Sequence, residues 1–174
     1  MPTDAVPYRK RLRAEGYDYR EPGWYFVTIC AQHRRCLFGT VHRSNVALSL
    51  AGEMVANELS ALPSRFDNVR LDAWVVMPNH LHAIAILDPS GGDRSLVSLS
   101  DVVGAYKRMT THRYIQQVQE SGWPLFPGRL WQRSFHDRMI RDDRHFDRLR
   151  GYVEANPFLW PKDTYFMAEV DHLG

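Results

Sequence analysis

Two histidines separated by a single residue are the first candidates for chemistry in this sequence. His80-Leu81-His82 follows a break at Pro78-Asn79 and opens an apolar run of the kind that forms β-strands. Because side chains at positions i and i+2 of a strand face the same side, both imidazoles can bind one metal ion while Leu81 points into the core. Two ligands do not complete a metal site, so a third must come from another part of the chain.

The last predicted helix offers a third ligand and a nucleophile. Tyr152 and Asn156 are four positions apart, which places the phenol and the amide on one helical face. That face continues backward through Arg148, His145 and Arg141. A tyrosine on a helix is otherwise a packing residue, and a phenol with a pKa of about 10 needs a nearby cation or base to attack at neutral pH. Arg148 and the metal are candidates for that cation. Two imidazoles and an amide oxygen form a mixed site compatible with Mg²⁺ or Mn²⁺.

These residues must be positioned by a small sheet and its helices. Apolar alternation, helical spacing and breaks at Pro or Gly predict the order β-α-β-β-α-β-α. The predicted strands are 24–30, 69–77 and 80–87, a strand and turn are predicted within 130–140, and the predicted helices are 46–62, 99–118 and 142–156. We therefore expect an α+β fold with a ferredoxin-like antiparallel sheet and helices packed on one face.

Length and composition are those of a single globular domain. The sequence has 174 residues, of which 44% are hydrophobic and 24% charged, which argues against overall disorder and against fibrous repeats. It contains no apolar run of about 18 residues, and its start is too polar and basic for a signal peptide. We expect one domain over 1–174, with a basic N-terminal segment at 1–20 and a C-terminal tail at 161–174. The expected protein is soluble and cytoplasmic, without a membrane partner.

Basic residues are concentrated in two parts of the chain. Between Lys107 and Arg150 there are ten Lys or Arg residues against five acidic ones, although the whole chain carries a net charge of only +2. A second cluster lies beside Tyr8. Such clusters are typical of polyanion binding, the alternative being a solvated surface. The candidate DNA-binding residues are Arg9, Lys10, Arg11, Arg13, Lys107, Arg108, Arg113, Arg141 and Arg148.

Three motifs in this order resemble a known family. Residues 74–82, which end in His80-Leu81-His82, resemble the His-hydrophobic-His motif that single-tyrosine HUH transposases carry on a central strand. Residues 152–157 resemble the tyrosine-plus-Asn-Pro motif of the REP-associated tyrosine transposases, and residues 130–137 with Ile140-Arg141 resemble the connecting motif of that branch. The resemblance covers residues 8–161. Related insertion-sequence 200-like transposases usually have glutamine at the position of Asn156, which favours the REP-associated branch.

The resemblance implies an HUH endonuclease fold and a DNA strand-transfer reaction. Tyr152 would form a covalent 5′-phosphotyrosine and leave a free 3′-hydroxyl, with a divalent metal held by His80, His82 and Asn156. The implied substrate is single-stranded DNA folded into REP-type hairpins, so that the protein would be nucleoid-associated when bound. The N-terminal cluster would read a single-stranded tag, and the stem would contact Lys107, Arg108 and Arg113. Family members include homodimers and monomers, so the oligomeric state stays open.

Two other functions fit the same residues. The chain can be a metal-dependent nuclease in which His80, His82, His136 and Asp137 surround the ion and water is the nucleophile. It can also be a non-catalytic nucleic-acid-binding protein whose tyrosines stack on bases while basic residues follow the phosphates. Replacing Tyr152 separates the nuclease from the transposase, because hydrolysis by water does not need the phenol.

Overall fold

A four-stranded antiparallel sheet forms the centre of the computed structural model, which describes residues 22–88 and 97–167. Its strands are β1 (Gly23–Cys30), β4 (Val69–Val76), β5 (His80–Leu87) and β6 (His136–Ile140). The helices are α1 (Leu50–Ser60), α2 (Leu62–Arg65), α3 (Leu99–Ser121) and α4 (Asp143–Leu159), and a separate hairpin consists of β2 (Gly39–His42) and β3 (Asn45–Leu48). The strand order in the sheet is β4-β5-β1-β6, and every neighbouring pair is antiparallel. The predicted α+β class and antiparallel sheet are confirmed.

Helix α1 begins later than its apolar spacing predicts. The spacing predicts a helix from Val46, but residues 45–48 pair with β2 as a strand. Ser49 then caps α1, because its hydroxyl oxygen accepts a hydrogen bond from the Gly52 amide at 3.1 Å. A Cβ atom on Gly52 would lie 1.9 Å from the carbonyl oxygen of Phe38, so only glycine allows this close approach.

Two further differences from the prediction lie next to the candidate site, one before α4 and one at its end. In the segment 130–140, predicted as a strand and turn, the regular strand begins only at His136, and before it Trp131 makes an isolated bridge to the residue after β1. Pro157 is predicted to stop the last helix, whereas α4 continues to Leu159 with the proline in its last turn. Neither difference moves Tyr152 or its neighbours off the helix.

One face of the sheet carries the main hydrophobic core. Helix α3 packs on it beside α1, and the Tyr106 hydroxyl of α3 donates to the Val55 carbonyl of α1 at 3.0 Å. A capping box between Ser98 and Asp101 starts α3. Strands β1 and β5 contribute alternate positions to this core, Tyr25, Val27 and Ile29 from β1 and Leu81, Ala83, Ala85 and Leu87 from β5, and β4 contributes its two ends, Val69 and Val76.

Helix α4 covers the opposite face of the sheet. There Leu149 of α4 packs with Ile84 of β5 and Ile140 of β6 in a second cluster. The expectation of helices on one face therefore holds for α1 and α3, while α4 corrects it. The physical reason lies in β5, where seven of eight residues are buried, so the strand requires a cover on both sides. His80 and His82 alternate with Leu81 and consequently face α4.

The two ends of the chain fall partly outside the described ranges. The predicted DNA contacts Arg9, Lys10, Arg11 and Arg13 lie outside them. Of the C-terminal tail, residues 161–167 are described, and they return to the sheet beside α4. None of the helices within 22–88 and 97–167 has the length and apolar character needed to cross a membrane.

Candidate active site

His80 and His82 lie side by side on β5, with exposed fractions of 0% and 2%. Their Nε2 atoms are 3.1 Å apart. The Nδ1 atom of His80 is hydrogen-bonded to Asn79 Oδ1 at 2.9 Å, and that of His82 to Thr28 Oγ1 at 2.8 Å. Each ring is therefore held from behind through Nδ1, while both Nε2 atoms face the same point.

Burial keeps both imidazoles neutral. The loss of hydration lowers the pKa of His80 to about 3, and the same cause lowers the pKa of His82 to about 3. The His82 ring also stacks on Phe26, with ring centroids 5.1 Å apart. At neutral pH each ring therefore offers the uncharged form of imidazole, which is the form that binds metal ions.

Helix α4 brings Tyr152 and Asn156 to the histidines of the same chain. The ring centroids of Tyr152 and His82 are 5.3 Å apart. Asn156 is fully buried, and its Nδ2 donates to Asp163 Oδ2 at 3.1 Å. Its Oδ1 has no hydrogen-bond partner among the residues that the structure describes. A buried carbonyl oxygen without a partner is costly, and a cation at this position would satisfy it.

Asp163 is a further member of the site, and the sequence analysis missed it. It follows a short 3-10 helix at Trp160–Lys162. Its carboxylate accepts hydrogen bonds from the Tyr152 hydroxyl at 3.4 Å, from Asn156 Nδ2 at 3.1 Å and from the Tyr165 amide at 2.7 Å. No spacing in the sequence signals this position, because the carboxylate reaches the histidines only through the path of the chain after α4.

The donor atoms around the histidines fit a divalent cation. A carboxylate oxygen of Asp163 and one ring nitrogen from each histidine lie within 4.8 Å of one another. The Asn156 oxygen adds a neutral donor, and such a mixed nitrogen and oxygen set binds divalent ions. Among the His, Cys, Asp and Glu side chains within 22–88 and 97–167, His80, His82 and Asp163 form the one group whose ligand atoms lie this close together. His136 and Asp137 line the neighbouring cavity but are not members of the cluster, which corrects the ligand set of the alternative nuclease.

The Tyr152 phenol is held in its protonated form. Partial burial raises its pKa above the ordinary value of 10, and the negative charge of Asp163 raises it further. Tyr165 lies against the same histidines, and burial raises its pKa to about 12. A cation bound among the histidines would oppose the effect of Asp163 on Tyr152 by Coulomb attraction.

A cavity of about 520 Å³ opens beside Tyr152 and His82. Two arginines line it, Arg138 from β6 and Arg148 from the turn of α4 before Tyr152. Arg148 therefore lies where the helical spacing predicts, on the side of the phenol. Arg141 is exposed and is not among the described residues that line this cavity. A phosphate group entering the cavity would meet the phenol and both arginines.

Two of the predicted stem contacts are engaged within the fold. Arg113 Nε pairs with Glu58 Oε1 at 2.9 Å, and Arg65 Nη1 pairs with the other oxygen of the same buried carboxylate at 2.8 Å. Lys107 Nζ donates to the carbonyls of Gln132 and Ser134, at 2.9 Å in each case. These contacts connect α3 to α1 and to the segment before β6. Arg113 and Lys107 therefore stabilise the packing of α3.

Arg108 borders a second cavity of about 520 Å³, between α3 and the segment before β6. Its basic lining residues are Lys107, Arg108, His112, Arg129 and Arg133. Among the described lining residues there is no acidic side chain. A surface of this composition complements the phosphates of a nucleic-acid backbone. We refer to it below as the α3 groove.

Comparison with known proteins relates this chain to transposases. A family model described as "Transposase IS200 like" matches residues 25–156, a range that contains both histidines, Tyr152 and Asn156. An uncharacterised protein of Haemophilus influenzae is 29% identical over an alignment of 174 positions, which covers 93% of this chain and 95% of that protein. A solved REP-associated tyrosine transposase bound to a REP hairpin superposes with a TM-score of 0.58 and 22% identity, over 84% of this chain and 73% of that one. At this identity the superposition shows a shared fold.

Proposed function

Because this chain belongs to the family of IS200-like transposases, we propose that it cleaves and rejoins single-stranded DNA with Tyr152 as the nucleophile. The observation that supports this most is the meeting of Tyr152, His80 and His82 at one cavity lined by arginines. All of these groups come from one chain, and we propose that they act together within that chain. The proposed substrate is a DNA hairpin of the REP type, the ligand named for the structural relative.

We assign the metal-binding role to His80, His82 and Asn156, and we propose Mg²⁺ or Mn²⁺ as the ion. The Asn156 oxygen is buried without a partner, whereas the Asp163 carboxylate already accepts three hydrogen bonds. Asp163 then orients the Asn156 amide through Nδ2 and leaves Oδ1 free for the ion. When bound, such a cation supplies positive charge that stabilises the negative charge building up on the scissile phosphate.

The proposed cleavage exchanges one phosphorus–oxygen bond for another and involves two proton transfers, one from the phenol and one to the leaving oxygen. Tyr152 donates its hydroxyl proton to Asp163 Oδ2, the acceptor 3.4 Å away. The phenol oxygen bonds to phosphorus as the bond from phosphorus to the 3′ oxygen breaks, and that oxygen takes a proton from water. The products are a 5′-phosphotyrosine and a free 3′-hydroxyl, and the reverse reaction on another 3′ end rejoins the strand.

The remaining basic residues are proposed to hold the DNA. Arg148 and Arg138 contact the phosphate in the cavity, and Arg141 contacts the backbone beyond it. Arg108 contacts the hairpin stem in the α3 groove together with Arg129 and Arg133, while Lys107 and Arg113 support that surface through their contacts in the fold. The N-terminal residues proposed to read the single-stranded tag are Arg9, Lys10, Arg11 and Arg13.

The proposed nucleophile is tested by covalent trapping. Purified protein is incubated with labelled single-stranded hairpin DNA and Mn²⁺, and the products are separated on a denaturing gel. We expect a labelled protein–DNA species that disappears in Tyr152→Phe. Tyr165→Phe is the matched control, because it also removes a phenol oxygen at this cavity but leaves Tyr152 in place. We expect this variant to retain the adduct.

The same gel separates the alternatives. Cleavage that survives Tyr152→Phe without an adduct would point to water as the nucleophile, and hairpin binding without cleavage would point to a non-catalytic DNA-binding protein. His80→Ala and His82→Ala should abolish cleavage and leave hairpin binding nearly intact, because affinity comes mainly from phosphate contacts. Equal loss of binding and cleavage would instead indicate a structural role for the histidines.

A further inference from the structure

Asn79 occupies the turn between β4 and β5, directly before His80, with an exposed fraction of 1%. Its Oδ1 is hydrogen-bonded to His80 Nδ1 at 2.9 Å. Its Nδ2 donates to the Arg34 carbonyl at 3.1 Å and to the Tyr165 carbonyl at 2.9 Å. The amide is thus fully hydrogen-bonded beside the site, although the reaction proposed above does not use it.

These partners fix where His80 carries its hydrogen. Backbone carbonyls only accept hydrogen bonds, so the amide nitrogen must face Arg34 and Tyr165, and the amide oxygen must face His80. That oxygen also only accepts, which requires the hydrogen on His80 Nδ1. A neutral imidazole has a single N–H group, so the lone pair of His80 lies on Nε2 and points toward His82.

His82 is held by a partner that permits either form of its ring. The Thr28 hydroxyl at 2.8 Å can donate to Nδ1 or accept from it. Because His80 Nε2 carries a lone pair 3.1 Å from His82 Nε2, the hydrogen between them belongs to His82. To ligate an ion, His82 must lose this hydrogen from Nε2 and gain one on Nδ1 by exchange with water, and Thr28 then accepts. Asn79, in contrast, holds His80 in the ligating form in advance.

The backbone that meets Asn79 is strained. His33 and Arg34 have φ angles of 57° and 54°, in the left-handed region that is unfavourable for residues with a Cβ atom. In this conformation the Arg34 carbonyl accepts from Asn79, and its guanidinium donates to the Thr164 carbonyl at 3.0 Å. The loop after β1, the start of β5 and the tail after α4 therefore meet at one amide.

We propose that Asn79 is a positioning residue that keeps the hydrogen of His80 on Nδ1 and thereby presents Nε2 to a divalent cation. This inference rests on the proposed metal-binding role of His80. Groups that orient a metal-ligating histidine through its other nitrogen typically change metal affinity by roughly ten- to hundredfold when they are removed. The role depends on the acceptor Oδ1, whereas a purely structural role would depend on the two donor contacts of Nδ2.

Three substitutions of Asn79 separate the contribution of its acceptor from that of its donors. Asn79→Asp retains an acceptor for His80 Nδ1 but loses both donors to the carbonyls of Arg34 and Tyr165. Asn79→Leu loses the acceptor and the donors, and Asn79→Ala repeats that loss with a smaller side chain. Asn68→Leu is the matched control, because it removes a buried amide that donates to the Val97 carbonyl at 3.2 Å, away from the histidines.

The readouts are the ring hydrogen of His80 and the affinity for Mn²⁺ alone. Long-range ¹H–¹⁵N NMR of the metal-free protein should show the hydrogen on Nδ1 in the unaltered chain and in Asn79→Asp, and a shift toward Nε2 in Asn79→Leu and Asn79→Ala. By calorimetry, Mn²⁺ affinity should fall roughly ten- to hundredfold in the latter two and stay within about threefold in Asn79→Asp and Asn68→Leu.

Three results would contradict this assignment, two of them without affecting the proposed function. Equal Mn²⁺ affinity in the unaltered chain and Asn79→Leu, or an equal loss in Asn79→Asp and Asn79→Leu, would overturn the positioning role and leave the proposed function standing. A failure of the unaltered chain to bind Mn²⁺ would overturn the proposed metal site and the positioning role with it.

Discussion

Mild acid should destabilise this protein through its two buried histidines. His80 and His82 each have a pKa of about 3 in the folded chain, whereas an imidazole in an unfolded chain has a pKa of about 6.5. Between these values the unfolded chain binds protons that the folded chain does not bind. The free energy of unfolding therefore decreases as the pH falls from about 6.5 toward 3. Above about pH 6.5 the two histidines cause no such loss, because they are neutral in both the folded and the unfolded chain.

The size of the effect follows from the same two values. At about pH 5 the unfolded imidazole is about 1.5 pH units below its pKa, which corresponds to about 2 kcal/mol for each histidine. Both rings remain neutral in the folded chain at that pH, so the two contributions add to about 4 kcal/mol. That is a large part of the stability of a typical domain.

Urea unfolding in the presence of EDTA, followed by tryptophan fluorescence at about pH 7.5 and about pH 5, measures this loss. Between about pH 7.5 and about pH 5, the free energy of unfolding should fall by about 4 kcal/mol more in the unaltered chain than in His80→Gln/His82→Gln. The remaining titratable groups are common to the two proteins, so their effects cancel in this comparison. His112→Gln removes an exposed histidine and should behave as the unaltered chain does. Equal losses in the unaltered chain and the double variant would refute the reasoning.

Three further predictions concern single positions. Gly52→Ala should lower the free energy of unfolding by about 3 kcal/mol in urea, because its Cβ would lie 1.9 Å from the Phe38 carbonyl oxygen, and a loss under about 1 kcal/mol would contradict the close approach. Ser98→Ala should cost about 1 kcal/mol in the same assay through loss of the α3 capping box, and an unchanged midpoint would show that the cap contributes nothing. Asp163→Asn should lower the pKa of Tyr152 toward its ordinary value, because the carboxylate charge is one cause of the rise. Ultraviolet titration of the phenolate measures this, with Asp163→Asn/Tyr152→Phe identifying the ring, and an unshifted titration would exclude the charge effect.

Local sequence patterns are sufficient to predict the elements that carry the candidate site. His80 and His82 share a face because alternation is a property of any strand, and no distant contact is needed to establish it. Tyr152 and Asn156 share a face for the same kind of reason, since four residues make about one helical turn. The expected fold class follows from the order of these elements.

The features that the sequence did not reveal depend on contacts between distant segments. The β2–β3 hairpin turns at Arg43-Ser44, both with positive φ, and lacks the Asn-Gly or Asp-Gly pair that marks such turns. Asp163 reaches the histidines only after the chain returns from α4. Arg113 cannot be told from a surface cation until Glu58 is buried beside it. In each case the contact partner is distant in the sequence, or the residues lack the local sequence pattern that would predict the feature.

Neither face of strand β5 can vary freely in sequence. Seven of its eight residues are buried between α4 on one face and α1 and α3 on the other. A lineage that lost the proposed strand-transfer activity but kept the fold would still need neutral, space-filling groups at positions 80 and 82. In such inactive homologues we expect apolar side chains in place of His80 and His82, while Leu81 and Ala83 are retained. A lineage that lost the fold would accept charges along the whole strand. Decay of activity and decay of structure would therefore leave different signatures in the same eight residues.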